Sequence, residues 1–369
     1  MRMIYHIYWG TAGNAGLYMD EIFQTLKKAG YNQKVFVSYY YPFDYGEKVF
    51  FKRTEMEHCK YIGVKRSIMQ ALELLLALIK ILLAARKDKP QIVNYSYVST
   101  GNVLILAFLK MLKRVSRCKL VITCHDVVPF TINDADYKKE MSIKSKIYAL
   151  ADGYIIHNKN SRQDLLRLFD ISETKIYEHP FPIMDLSKID KGQEEFGEKF
   201  DFLFIGHLRK AKGVEFLLEA WKEFHKINPT ATLCIAGNPT TYKQYFEEHE
   251  DECRNNNIIL KLGFVKDNDY IRLVKSSHCV LFPYNAGTNS GVISTVISLN
   301  RLVITSDIEM FANNSLIPTD GFYKCGDMEG FVNLLGVFYK IDSIDYSNSV
   351  HSYRIIFDNA VNKVYKQLM

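Results

Sequence analysis

The residues with the clearest chemistry lie in a short polar turn, between an apolar run at 202–205 and an apolar stripe that begins at Val214. Gly206 lets the backbone turn sharply at the end of the predicted strand. Arg209 and Lys212 place positive charges beside the predicted helix start, where unpaired N–H groups and the helix dipole already favour an anion. This combination predicts a diphosphate site at a strand-to-helix turn, with a solvated basic loop as the alternative.

A second strand, polar loop and helix start occupy residues 281–293. Asn289, Ser290 and Gly291 stand where this helix would begin, so they can present backbone N–H groups and a hydroxyl to an anion. The segment therefore predicts a second anion-binding element.

His125 and Asp126 follow an apolar run at 120–124 that predicts a buried strand. The carboxyl ends of strands in a parallel sheet face the ligand crevice. An imidazole there can hydrogen-bond a ligand hydroxyl or a developing charge, and a carboxylate can orient it. We favour this functional role over a structural pair in a loop.

Small residues fill the loop at 10–16, between the predicted first strand and the first helix. Gly13 and Gly16 do not complete a Gly-x-Gly-x-x-Gly fingerprint, so the support for a dinucleotide site is weak. Contact with a bound ligand and a tight turn needed only for packing both remain open.

Length and composition predict a two-domain globular protein. The chain has 369 residues, 48% of them hydrophobic and 24% charged, and its net charge of +6 does not require a nucleic-acid partner. Seven cysteines without a Cys-x-x-Cys pair indicate buried free thiols in a reducing cytoplasm. The N-terminal residues lead directly into a predicted strand, which argues against a signal peptide.

Strand and helix patterns alternate along both halves, which predicts the α/β class with parallel sheets. The strands of the first half are predicted at 4–8, 35–38, 92–94, 120–124, 155–157 and 175–177, and those of the second at 202–205, 233–236, 258–262, 280–282 and 302–305. Two prolines at 180 and 182 mark the boundary. We expect domains at 1–182 and 183–345, with a last helix in 346–369.

The order and spacing of these motifs resemble the GT-B glycosyltransferases, in particular retaining family 4 with a variant Ser-Gly-Val donor loop. The resemblance implies two Rossmann-like domains facing across a cleft, the first binding the acceptor and the second the nucleotide sugar, with the last helix returning to the first domain. It also implies that Arg209 and Lys212 hold the donor phosphates and that His125 lies near the anomeric carbon. Most members carry two glutamates that correspond to Gly287 and Thr295 here, and the second usually holds the ribose.

The function implied by this resemblance is sugar transfer from a nucleotide-diphosphate donor, UDP favoured over GDP, to a glycan or lipid-linked acceptor. We expect a hexosyltransferase of polysaccharide or glycoconjugate biosynthesis that retains anomeric configuration and needs no cofactor. The alternatives are a nucleotide-sugar epimerase of the same fold and a non-catalytic nucleotide-sugar-binding protein.

Two Asp-x-Asp triplets, at 134–136 and 267–269, raise the question of a metal site. Both fall in regions predicted as polar turns, and a motif this short recurs by chance. We expect no metal ligand in either triplet.

One segment, 68–85, is apolar enough to suggest a membrane, but Glu73 and Lys80 interrupt it. Basic residues follow it at 86–89 and recur at 110–119. This pattern predicts a cytoplasmic protein whose first domain binds peripherally to an anionic membrane surface. Helices buried against the sheet, with a solvated basic face, are the alternative.

Overall fold

Buried apolar runs form the strands of two parallel sheets, each in its own compact unit. A computed structural model describes residues 3–9, 15–50, 60–96, 103–125, 127–128, 134–190, 197–239, 242–287, 291–312 and 314–369, without the side chains of residues 15 and 134–136. The first unit comprises Met1–Pro182 with Ile356–Met369, and the second comprises Ile183–Ile355.

The first unit is built around a seven-stranded sheet in the order β3-β2-β1-β4-β5-β6-β7. Its strands are β1 Met3–Tyr8, β2 Asn32–Ser38, β3 Glu47–Phe50, β4 Ile92–Ser96, β5 Lys119–Thr123, β6 Gly153–Ile156 and β7 Ile176–Glu178. Its helices are α1 Ala15–Lys28, α2 Gly63–Asp88, α3 Val103–Ser116, α4 Asp134–Tyr148 and α5 Lys159–Leu168.

The second unit is built around a six-stranded sheet in the order β10-β9-β8-β11-β12-β13. Its strands are β8 Phe200–Ile205, β9 Leu233–Gly237, β10 Ile258–Leu262, β11 Ser277–Phe282, β12 Leu302–Ser306 and β13 Phe322–Tyr323. The helices that follow are α6 Val214–Ile227, α7 Lys243–Glu248, α8 Glu250–Asn255, α9 Asp267–Ser276, α10 Gly291–Ser298, α11 Glu309–Ala312, α12 Met328–Phe338 and α13 Ser347–Leu368. All strand pairs in both sheets are parallel, which confirms the α/β class and the two parallel-sheet domains.

Some elements are absent from the sequence prediction because their apolar periodicity is weak. Strand β3 is short and pairs only with β2, at the edge of the sheet. Helix α4 is mostly polar, and its buried apolar residues, Ile147 and Tyr148, lie in its last turn. Helix α5 begins after Asn158, whose side chain accepts a hydrogen bond from the Ser161 N–H.

The end of helix α13 belongs to the first unit and is held there by polar contacts. Asn94 in β4 donates to the Tyr365 hydroxyl at 2.9 Å. Thr25 in α1 donates to the Asp358 carboxylate at 2.5 Å, and the Lys119 ammonium donates to the Leu368 carbonyl at 2.9 Å. These three bonds join the last helix to three different elements of the first unit.

The cysteines of the described residues are free thiols, and most are buried as predicted: Cys118, Cys124, Cys234, Cys253 and Cys279. Cys325 is different because it is exposed, next to the Gly326 turn. The prediction of burial was wrong for this residue.

Candidate functional site

The two loops predicted to bind phosphate meet at the switch point of the second sheet. Strands β8 and β11 are neighbours, with Leu203 opposite Val280, yet the chain leaves β8 toward β9 and leaves β11 toward β12. In an open parallel sheet, ligands bind outside the carboxyl ends of the strands at such a point. The turn carrying Arg209 and Lys212 follows β8, and the loop that leads to α10 follows β11.

The turn after β8 is shaped by two glycines with positive φ. Gly206 has φ +139° where β8 ends, and Gly213 has φ +68° between a 3-10 turn at Lys210–Lys212 and helix α6. A Cβ on Gly213 would lie 1.8 Å from the carbonyl oxygen of Pro283. Only glycine allows the two loops to approach this closely.

Hydrogen bonds then join the two loops. The backbone N–H groups of Asn285 and Ala286 both donate to the Ala211 carbonyl, at 3.1 and 3.2 Å. The Asn285 side-chain amide donates to the Lys210 carbonyl at 3.1 Å. The basic turn is therefore held in place by the loop after β11.

Lys212 is the best-defined charged group of the site. Its ammonium donates to the Tyr284 hydroxyl at 2.7 Å and lies 4.0 Å from the centre of the same ring. Burial, together with a smaller effect from the nearby charge of Arg209, lowers the pKa of Lys212 to about 8. A lysine held in a partly desolvated, positive environment is stabilised by any anion that binds beside it.

Positive charge also acts on His207, which is exposed at the start of the turn. Partial desolvation of the ring by its neighbours lowers the pKa of His207, and the charges of Arg209 and Lys212 add to this effect. The turn therefore presents concentrated positive charge next to the first N–H groups of helix α6, as a diphosphate site requires.

The loop after β11 departs from the family pattern at the two expected glutamates. Thr295 is fully buried in α10, where its hydroxyl donates to the Val292 carbonyl at 2.6 Å and lies 2.7 Å from the Tyr270 hydroxyl. Gly287 is exposed, with the Met310 side chain 3.1 Å from where a Cβ would stand. Position 295 is therefore closed by packing and carries no carboxylate.

Three histidines follow three neighbouring strands of the first unit. His125 comes after β5, His157 directly after β6 and His179 directly after β7. The ring centres of His125 and His157 are 5.4 Å apart, and those of His157 and His179 are 4.8 Å apart. Tyr18 of α1 packs its ring against His125, with centres 4.5 Å apart.

Burial keeps these imidazoles neutral. His125 is half-buried, whereas His157 and His179 are buried behind it. Burial lowers the pKa of His125 and of His179 to about 4, with the charge of His179 adding to the effect on His125. The pKa of His157 is lowered well below its ordinary value for the same reason. A neutral ring at His125 can both donate and accept a hydrogen bond.

We expect the first unit to lose stability as the pH falls from about 6.5 toward 4. The folded-state pKa values of His125 and His179 lie below those of the unfolded chain, so their stabilising contribution is complete above the unfolded pKa and decreases as the pH falls. Thermal melts between pH 7 and 4.5 measure this loss. The variant His179→Phe should have a shallower pH dependence than the wild type, and an unchanged slope would contradict the assignment.

The other predicted site residues are distributed as follows. Gly16 is buried in the first turn of α1, where a Cβ would lie 3.4 Å from the Pro42 ring. Gly291 is the first residue of α10. Gly13, Asp126, Asn289 and Ser290 lie outside the described residues. The ligand contacts predicted for these six residues remain predictions.

Both Asp-x-Asp triplets begin helices, so the prediction of polar turns was wrong. Asp134 is the first residue of α4, and Asp267 is the first residue of α9, directly after its N-cap residue Lys266. Asp269 lies 4.0 Å from Arg272 on the same helix. Acidic residues in a first turn stabilise the helix dipole. Within the described ranges, no group of three or more His, Cys, Asp or Glu side chains is arranged to hold a metal ion.

Sequence reasoning overlooked several residues of these clusters. Tyr284 and Asn285 lie in the predicted donor loop, but they carry no charge and so gave no signal of their own. His157 and His179 could have been found, because each lies at or within two residues of the end of a predicted strand, close to the kind of position that singled out His125.

Comparison with known proteins finds a family match within the second unit. Residues 186–313 match the family described as glycosyl transferases group 1. A glycosyltransferase of Methanocaldococcus jannaschii, itself uncharacterized, is 24% identical over 268 residues, which are 69% of this chain and 64% of the relative. The chain thus spans slightly less than two thirds of that relative's length.

The fold of the whole chain is similar to that of several solved structures. HepE of Anabaena, solved in complex with UDP and glucose, has a TM-score of 0.64 at 13% identity, with 100% of this chain and 99% of that chain covered. A sucrose-phosphate synthase from Thermosynechococcus elongatus has a TM-score of 0.61 at 14% identity, with the same coverage. Residues 186–313 are thus similar to the group 1 glycosyl transferases, and the chain has two parallel-sheet α/β domains like its GT-B structural neighbours.

Proposed function

We propose that the protein is a glycosyltransferase that takes a hexose from a nucleotide-diphosphate sugar. The observation that carries this proposal is the pair Arg209 and Lys212 at the switch point between β8 and β11, where helix α6 begins. The family match within the second unit supports the reaction class, and the complex of HepE with UDP and glucose supports UDP as the nucleotide of the donor.

Transfer requires stabilisation of the leaving diphosphate. As the bond between the anomeric carbon and the phosphate oxygen breaks, negative charge develops on the diphosphate. The Lys212 ammonium, the Arg209 guanidinium and the first N–H groups of α6 offset this charge without a metal ion. The resemblance to family 4 supports retention of anomeric configuration.

The first unit is proposed to bind the acceptor, a glycan or lipid-linked glycan of polysaccharide or glycoconjugate synthesis. His125 stands at the carboxyl edge of its sheet, half-buried and neutral, as a hydrogen-bonding group for a sugar hydroxyl needs to be. Tyr18, His157 and His179 pack around it and fix its ring.

A panel of UDP- and GDP-sugars, incubated with the protein with and without a chelator, tests the proposal. We expect slow hydrolysis or transfer with at least one UDP-sugar, and a change of less than about twofold when EDTA is added, because cationic side chains replace the metal. Nucleotide release and the sugar products are measured by chromatography.

Each other outcome of the panel would change either the proposed mechanism or the proposed function. Loss of activity with EDTA, restored by Mn²⁺, would contradict the metal-free mechanism and reopen a role for an Asp-x-Asp triplet. Epimerisation at C2 of the sugar would identify an epimerase. Binding without turnover of any donor would identify a non-catalytic sugar-nucleotide protein, consistent with the closed position of Thr295.

A further inference from the structure

Helix α2 is apolar on two opposite sides. Its inner side, with Ala77, Leu78, Ile81 and Ala85, is buried in the core of the first unit. A surface helix of a globular protein normally carries a polar outer face. The outer face of α2 is apolar instead, so packing of the inner side against the core does not explain all of its apolar residues.

The outer side of α2 forms a continuous exposed apolar stripe. Its large residues, with their exposed fractions, are Ile68 (55%), Leu72 (48%), Leu75 (43%), Leu76 (66%), Ile79 (45%) and Leu83 (65%). These positions recur at spacings of three and four residues, so they share one helical face that is about 22 Å long. Exposed apolar patches rimmed by polar residues mark interaction surfaces.

Helix α3 packs beside α2 and also carries exposed apolar side chains. Val103, Leu104 and Met111 are exposed on α3, at 74%, 38% and 47%. We call the exposed side chains of both helices the apolar face.

Basic residues gather at one end of the apolar face. Helix α2 ends at Asp88, just before strand β4, and helix α3 ends at Ser116, just before strand β5. The first residues of these two strands, Ile92 and Lys119, are paired in the sheet. The two helices therefore end at the same edge of the unit. The exposed cations at this edge are Arg86, Lys87, Lys89, Arg114, Arg117 and Lys119.

Nearby carboxylates are already paired with other lysines. Asp88 binds Lys34, and Asp152 lies 2.7 Å from the Lys113 ammonium. Among the described residues, Arg86, Arg114 and Arg117 form no ion pair. Their charge is thus available to an anionic partner, at the margin of an apolar surface.

We propose that the apolar face docks on an anionic lipid bilayer, with its leucines in the acyl boundary and its arginines at the headgroups. An interfacial helix needs this combination of a large apolar stripe and adjoining cations. A second copy of the chain fits less well, because both ends of the stripe are positive, with Lys65 at its start, and two such faces would repel each other.

A transmembrane crossing is the other possibility for α2, because its length and composition alone would allow one. In its most apolar window, 28% of the residues are buried inside the protein. Crossing would remove that inner side from the core of the first unit, whereas docking leaves it in place. The structure thus favours a helix that lies on the membrane.

Vesicle flotation tests the proposal with the full-length protein. We expect binding to phosphatidylcholine vesicles that contain about 30% phosphatidylglycerol, little binding to phosphatidylcholine alone, and a loss of at least about tenfold when the salt rises from about 50 to 500 mM. Leu72→Glu with Leu76→Glu, and separately Arg86→Glu with Arg114→Glu, should each lower the partition coefficient by at least about tenfold.

The matched control is Ile227→Glu with Val337→Glu, which changes two exposed apolar residues of the second unit, 73% and 53% exposed. It should bind vesicles like the wild type. The melting temperature of every variant checks its fold, and UDP titration keeps this test separate from the proposed transferase function. Failure of the wild type to float on anionic vesicles would overturn the proposal. So would a concentration-dependent dimer in sedimentation that Leu72→Glu with Leu76→Glu dissociates.

Discussion

Replacing Lys212 by alanine is expected to lower kcat/KM for the nucleotide-sugar donor about 30- to 1,000-fold. This corresponds to a loss of roughly 2–4 kcal/mol of transition-state stabilisation. The side chain is half-buried, and its ammonium is held by the Tyr284 hydroxyl at 2.7 Å beside the start of helix α6. The leaving diphosphate carries more charge in the transition state than in the bound donor, so the loss should appear mainly in kcat. Steady-state rates of donor turnover measure it.

Lys210→Ala is the matched control, because Lys210 lies in the same 3-10 turn but is exposed. An exposed lysine contributes less than a desolvated one to the stabilisation of an anion, so we expect a change of less than about threefold. Equal effects of the two variants would show that only the net charge of the turn matters. Unchanged turnover in Lys212→Ala would defeat the assignment of this residue.

The pH dependence of donor turnover provides a separate test of the role of Lys212. Its pKa of about 8 in the free protein means that the ammonium, which attracts the diphosphate, is lost as the pH rises through 8. The value of kcat/KM for the donor, which follows the pKa of the free protein, should therefore fall between pH 7 and 9.5. Lys212→Arg should remove this step, because a guanidinium stays charged throughout the range. A step that persists in Lys212→Arg would have to come from another group.

Gly213→Ala is expected to have the largest effect on stability and to disable the site at the same time. The residue has φ +68°, and the new Cβ would stand 1.8 Å from the Pro283 carbonyl oxygen. The loop after β11 must move away, and the hydrogen bonds from Asn285 and Ala286 to the Ala211 carbonyl would be lost with it. We expect about 3 kcal/mol of destabilisation and a loss of donor binding.

Gly326→Ala is a control that measures the cost of a left-handed backbone conformation without the contact between the loops. Gly326 also has a positive φ, +86°, but nothing lies within 4 Å of the position where its Cβ would be. This control should cost about 1–2 kcal/mol, the ordinary penalty for alanine in a left-handed conformation, and leave donor binding unchanged. Melting temperatures and UDP titration of both variants measure the difference. Equal losses in the two would mean that the approach of the loops is not important.

The sequence by itself determined the alternation of strands and helices and the positions of the polar strand ends. Runs such as 202–205 are continuous and apolar because strands of a parallel sheet are covered on both faces. Gly206, Arg209 and Lys212 could be read as a phosphate-binding turn because the chemistry of a strand-to-helix turn is local in the chain. Edge strand β3 and polar helix α4 gave weaker patterns, since little apolar surface is buried there.

Only the tertiary structure decided which residues complete each site. Tyr284 reaches Lys212 from 72 residues away, because the strand order makes β8 and β11 neighbours. The same kind of adjacency brings His157 and His179 behind His125, where burial keeps the rings neutral. Packing against Tyr270 closes position 295, and packing against the core leaves the other side of α2 exposed. These features depend on contacts between distant segments, which the pattern along one chain does not encode.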